Sequence, residues 1–387
     1  MRLYREFLRF DLRFLVGSPL LWIAACVFGL SAFGATSSDA IQIGGSIGNV
    51  HRNAPFTIVQ WLNIFTLLGL FVAGAFIGGT LLRDFESGTS ELFFSKPIKP
   101  TDYLLGRFSA GVIVSLLIYL GVCLGMIIGA AMPWIDAARL GPFSLAPFAY
   151  GIGVFVLPNL IFTGALILLF AALMRSVLGI YIAIIAFLVL WGVAGEMTRD
   201  LDNLWFAALA DPFGMRALNL TTRYWTAEER NTQLPELAGY ILANRALWLT
   251  VAAVLIGATL KLFRTERAGT SRWLRLPAFL QRKPKPAPAF VVASVITVAA
   301  PVASRFAGFR QYLKQTRFDT AQVVVSAPFL IMIAFGLLNL SGSLEGSAPM
   351  YDTPLYPTTS QMLGGIGGAY AWPLLIIVMF YAGAFVW

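Results

Sequence analysis

The chain has 387 residues, of which 58% are hydrophobic and only 12% charged, and its mean hydropathy is +0.76. An ordinary soluble domain carries about 25% charged residues, so this composition excludes a soluble globule, a disordered chain and a disulfide scaffold. It defines an integral membrane protein. Cys26 and Cys123 lie in apolar runs with no metal-ligand spacing, and His51 is the single histidine, which removes most zinc and triad hydrolase chemistry. The net charge of +9 would suit nucleic acid in a soluble protein; in a membrane protein basic residues report topology.

The first 14 residues place Arg2, Arg5, Arg9 and Arg13 three or four apart, with Leu3, Phe7, Phe10 and Phe14 on the opposite face. This spacing predicts an amphipathic helix lying in the membrane surface rather than a signal peptide. Ser18-Pro19 breaks it from the first span. Eight apolar segments then approach the roughly 20 residues a bilayer-crossing helix needs: Ser18–Thr36, Thr57–Leu82, Leu104–Ala131, Tyr150–Met174, Val177–Trp191, Ala246–Leu260, Val323–Ser341 and Gly367–Trp387. The fifth and sixth are short and are expected to extend into their flanks. Apart from Arg107 near the start of the third, these segments carry no Asp, Glu, Lys, Arg or His. Trp61, Trp134, Tyr150, Trp191 and Trp248 near span ends read as interfacial anchors.

With the N-terminus in the cytoplasm, 21 of the 28 Lys and Arg residues fall in cytoplasmic segments, while acids divide 8 inside and 11 outside. The positive-inside rule selects that orientation and leaves nothing for nucleic-acid binding. Phe290–Ser304 is apolar but contains Pro301 and is too short; spanning it would carry Arg305–Arg317 outside, so it is expected not to cross. The stretch before it, Arg264–Pro288, is basic and Pro-rich, and predicts a linker beside anionic lipid.

At an offset of 308, Arg2, Tyr4, Arg9, Phe10, Asp11 and Ser18 match Arg310, Tyr312, Arg317, Phe318, Asp319 and Ser326. Phe71–Phe76 in span 2 resembles Phe380–Phe385 in span 8. We read a tandem: a six-span module over residues 1–263, a linker and apolar segment over 264–304, and the start of a second module over 305–387. Trp387 ends an apolar run with no basic cap. A helix ending inside the membrane would leave carbonyls unsatisfied, so the chain is expected to be part of a longer polypeptide.

No P-loop pattern occurs, so energy for uphill transport would come from another chain. Arg83–Arg107 joins spans 2 and 3 on the cytoplasmic side. Arg83, Asp84, Glu86 and Glu91 bring charge below the membrane, Gly88 interrupts the run, Leu92-Phe93-Phe94 forms a compact apolar face, and Lys96-Pro97 precedes a stop. Such a segment either docks a cytosolic partner or simply stitches two spans. In the spans, the tandem GxxxG of Gly121, Gly125 and Gly129 and the Gly74/Gly78 pair predict close helix packing, and Gln60 and Asn63 are polar residues in span 2.

The order of basic helix, Ser-Pro, span 1, outer loop, span 2, then Arg-Asp-Phe-Glu-x-Gly-Thr-x-Glu-Leu-x-Phe-x-x-Pro-Ile and Asp-Tyr-Leu-Leu-Gly-Arg-Phe, resembles the permease subunits of type-2 (ABC-2) ABC exporters. It resembles more narrowly the N-terminal part of bacterial proteins in which two permease modules precede an M1-class zinc aminopeptidase. The outer-loop sequence from Ile41 to Phe56, with Asn49-Val50-His51-Arg52-Asn53-Ala54-Pro55, fits that narrower group.

The resemblance implies an all-α polytopic protein of the bacterial inner membrane. The Met1–Phe14 helix would be its connecting helix, the helix within Asp84–Pro97 its coupling helix, and Met197–Tyr240 the carrier of short outer-leaflet helices. It implies a cytoplasmic ABC ATPase subunit as partner, the rest of the second permease module, and a peptidase beyond residue 387. The chain itself is expected to be no enzyme, to hold no metal or cofactor, and to leave ATP to its partner subunit. The rival expectation is a membrane anchor for the downstream peptidase, without transport.

Overall fold

In a computed structural model, described for residues 2–38, 49–96, 98–197, 203–263, 307–324 and nine scattered positions beyond, every regular element among the described residues is helical. The chain divides into a unit of Met1–Phe263 with Ile331–Trp387 and a second unit, Arg264–Leu330.

In the first unit, α1 (Arg2–Val16) is followed by α2 (Pro19–Ser37) and α3 (Pro55–Ala73). A π-helical turn, Gly74–Gly78, continues α3 into α4 (Gly79–Glu86), and α5 (Ser90–Phe94) precedes α6 (Pro100–Ala130). Next come α7 (Ala146–Tyr150), a second π segment at Gly151–Val156, α8 (Leu157–Met174) and α9 (Val177–Met197). Three short helices, α10 (Leu204–Ala210), α11 (Met215–Thr221) and α12 (Ala227–Thr232), occupy the long loop before α13 (Gly239–Leu262). In the second unit α14 covers Ala307–Val324.

Among the described residues, five helices are long and apolar enough to cross a membrane: Pro19–Ser37, Pro55–Glu86, Pro100–Ala130, Ala146–Met174 and Gly239–Leu262. This is an all-α membrane protein. These five coincide with spans 1 to 4 and 6 of the sequence reading and mostly run longer. Proline sets several starts: Pro19, Pro55 and Pro100 stand in first turns, where the missing N–H costs nothing. The fifth expected span is α9, whose apolar stretch Gly179–Gly192 is shorter. The seventh and eighth spans, the linker and Phe290–Ser304 lie outside the described residues apart from scattered positions.

The glycines act as expected. A Cβ on Gly125 would overlap the Gly29 carbonyl of α2, and one on Gly121 would lie 2.9 Å from the Ala25 carbonyl. The absent side chains let α2 and α6 meet backbone to backbone. Gly74 and Gly78 similarly admit Ile184 and Ile180 of α9 against the π turn. That turn adds a residue to the helical repeat, and so resets which face of α4 looks at α1 and α6.

The aromatic residues correct one expectation. Trp134 is exposed, but Trp61 is buried in the core, Trp191 donates to Asp211 Oδ1 at 2.9 Å, and Trp248 donates to the Leu209 carbonyl at 3.0 Å. Trp61 is thus a core residue, while Trp191 and Trp248 are partly buried with a protein acceptor for each indole N–H. At the end of the bundle where α3 begins, Arg52 donates to the Thr36 and Ser38 carbonyls, Asn53 exchanges two 2.7 Å bonds with the Gly141 backbone, and the His51 amide donates to Asn231 Oδ1. The Asn-Val-His-Arg-Asn segment is therefore a clasp over α2, α12 and the segment before α7.

Candidate functional site

α1 presents three faces. Phe7, Asp11 and Leu15, four residues apart, point into the bundle and are buried. Arg5, Arg9 and Arg13 are exposed, and so are Leu3, Phe10 and Phe14. The sequence reading grouped Phe7 with Phe10 and Phe14; the structure separates them, because α1 packs against α6 and one stripe must face the protein. The contact is tight at Gly106, where a Cβ would lie 2.8 Å from Phe7 Cβ, and Tyr4 donates to Ser109 Oγ at 3.1 Å.

Asp11 is completely buried. Arg83 of α4 donates to its Oδ1, and Arg107 Nε of α6 lies 3.9 Å from its Oδ2. Arg107, itself buried, pairs with Asp84 Oδ2 at 2.5 Å and donates to the Thr80 carbonyl, while Tyr103 donates to Asp84 at 3.2 Å. Burial pushes the Asp11 carboxyl above its ordinary value, against the opposing pull of Arg107 and Arg83. Two carboxylates and two guanidiniums thus compensate one another where α1, α4 and α6 converge. Breaking one partner out of such a set costs about 3–5 kcal/mol. The Arg83 guanidinium also lies over the Phe14 ring at 4.4 Å and the Phe10 ring at 5.3 Å.

This corrects the expectation for Asp84. It is a buried structural anion, not a charge offered to a partner. Arg107, at the start of the third expected span, lies inside α6 and is buried. Glu86, Gly88, Leu92 and Lys96 are exposed, and Gly88 turns the chain with φ of 69°. Glu91 and Phe93 lie on α5; Pro97 is outside the described residues. Leu92, in the middle of α5, is 72% exposed. Phe94 faces inward, with ring centroids 5.2 Å from Tyr103, 5.9 Å from Phe263 and 6.3 Å from Phe85. The short arm α5 is thereby braced on α4, α6 and the end of α13.

Arg310, Tyr312, Arg317, Phe318 and Asp319 all lie on α14. Tyr312 and Phe318 are exposed, and Asp319 accepts from Gln315 at 3.0 Å.

A second polar cluster escaped the sequence reading. Arg245 directly precedes the apolar segment Ala246–Leu260, but α13 begins at Gly239, so Arg245 is in its second turn and buried. It donates to Asn159 Oδ1 of α8 at 2.7 Å, to the Pro212 carbonyl at 3.2 Å and to Asn244 Oδ1. Asp211, in the elbow between α10 and α11, accepts from Phe213 N at 3.1 Å, Arg216 N at 2.8 Å and Trp191. The signal for it was the pair of asparagines in otherwise apolar segments. Among the described residues no group of three or more His, Cys, Asp or Glu could hold a metal.

No family model, no curated protein and no solved structure matches the chain.

Proposed function

We propose that the chain is the membrane-spanning part of an ATP-driven exporter of the ABC-2 type, coupled to a separate cytoplasmic ATPase. The observation that carries this reading is the arm α5. Its exposed Leu92 sits on a helix whose inner residue, Phe94, touches Phe85, Tyr103 and Phe263. A push on the arm reaches α4, and through Arg83–Asp11 it reaches α1. A segment that only stitched two spans would need neither the exposed apolar side chain nor the rigid brace. The resemblance in the Arg83–Arg107 loop points the same way. The N-terminus is cytoplasmic in this reading, from the distribution of Lys and Arg.

The test is a pull-down of the protein from its native membrane, as wild type, Leu92→Asp and Lys96→Glu, with ATP hydrolysis measured in each eluate. Wild type brings down ATPase activity and both variants lose most of it. A wild-type eluate without ATPase overturns the reading and leaves the membrane anchor.

A further inference from the structure

The polar cluster around Arg245 has a direction. A guanidinium only donates. Arg245 therefore turns the oxygen of Asn159 toward itself, and the Asn159 amide nitrogen must point the other way. There it donates to Asn63 Oδ1 at 3.2 Å and Thr66 Oγ1 at 2.9 Å, both on α3, and to the Phe213 carbonyl at 3.2 Å. Asn63 must in turn present its oxygen to Asn159, since two NH2 groups face to face would repel. Thr66 donates to the Asn63 backbone carbonyl at 2.6 Å. The orientation of each amide is thus imposed by the charge at the start of the chain.

The chain of donors ends on Asn63 Nδ2, which is buried and has no hydrogen-bond partner among the described residues; Asn63 is 1% exposed. Successive bonds in such a chain polarise one another, so this terminal N–H is a stronger donor than an isolated amide. One turn toward the start of α3, Gln60 Oε1 is a shielded acceptor, also without a partner among the described residues. Positions three apart share a helix face. Gln60 is half-buried and Asn63 sealed, so the pair runs from a rim inward. Each buried polar atom left open in a native fold calls for a partner.

The geometry points to a binding site on α3 for a neutral group that both accepts and donates, an amide, with its carbonyl on Asn63 Nδ2 and its N–H on Gln60 Oε1. Carrying the group as cargo rests on the permease reading; the binding itself does not. An ester fills only the Asn63 half. A hydrocarbon fills neither.

The test uses the full chain in nanodiscs, without nucleotide, and radiolabelled N-octylacetamide and octyl acetate as probes. Wild type binds the amide saturably and about tenfold more tightly than the ester, the size of one lost hydrogen bond. Asn63→Leu abolishes saturable binding. Gln60→Leu, which touches none of the Arg245 bonds, removes the preference for amide over ester while leaving the melting temperature unchanged. No saturable binding to wild type, the result expected if a fixed water fills the pair, overturns the site. So does a full amide preference retained in Gln60→Leu. A missing ATPase in the pull-down would leave this result untouched, so the two readings fail separately.

Discussion

Asp11 of α1 and Arg83 of α4, 72 positions apart in sequence, form an ion pair in which the carboxylate is wholly buried and the arginine about a quarter exposed. The amphipathic helix at the chain's start is therefore bolted to the end of the second span, at the root of the arm α5. Asp11→Asn removes the anion from between Arg83 and Arg107 and is expected to lower stability by about 3 kcal/mol. Arg83→Gln costs less, because water reaches that side chain. Thermal unfolding in detergent orders them; an Asp11→Asn protein as stable as wild type would show that the pair does not hold α1.

The contact of α2 with α6 is steric. Gly125→Ala drives a methyl into the Gly29 carbonyl, backbone that cannot swing aside, and should destabilise by about 1–3 kcal/mol. Gly34→Ala, where nothing lies within 4 Å of the added carbon, is the matched control and should be neutral. Equal melting temperatures for the two would refute the backbone contact.

In the elbow between α10 and α11, the Asp211 carboxylate takes up two backbone N–H groups and the Trp191 indole. Asp211→Ala leaves these donors unsatisfied, at about 1–3 kcal/mol for a buried group. Hydrogen exchange at 213–218 should accelerate while α1 keeps its protection. Uniform acceleration throughout would mean the elbow is no separate unit.

A smaller effect concerns pH. The Thr226 backbone and side chain donate to Glu229, which closes a capping box on α12 and holds the Glu229 carboxyl below its ordinary value. A carboxyl with a lowered folded-state pKa contributes stability above its unfolded value of 4.5, lost as pH falls through the folded one. Exchange at 227–232 should therefore rise on acidification below about pH 4.5, and Thr226→Ala should show that faster exchange already at neutral pH. An acid-insensitive wild type would sink the assignment.

Much of this was legible beforehand. Long apolar runs, prolines at helix starts and GxxxG spacing depend on neighbours a few residues away, and they placed five spans and marked the close-packing stripe of α6; that α2 covers the stripe came from the structure. The basic face of α1 followed from a 3.6-residue period. What stayed hidden were the charges. Asp84 and Arg107 sit near span ends, where sequence assigns them to water or a partner, and Arg245 lay one residue outside a boundary drawn from hydropathy. Hydropathy marks where a run becomes polar; it says nothing of whether another helix is there to cover the polar group.

By itself, then, the sequence determined that this is a helical membrane protein, roughly where its helices begin, and which way its basic residues bias it. Only the tertiary structure decided that Asp11, Asp84, Arg83 and Arg107 neutralise one another, that Phe94 braces α5 while Leu92 stays exposed, and that Arg245 orients Asn159 and Asn63. Apolar burial is nearly independent of partner and can be read along the chain. A buried charge or amide is tolerable only beside a complementary group, and that group is chosen by how distant segments cross in space.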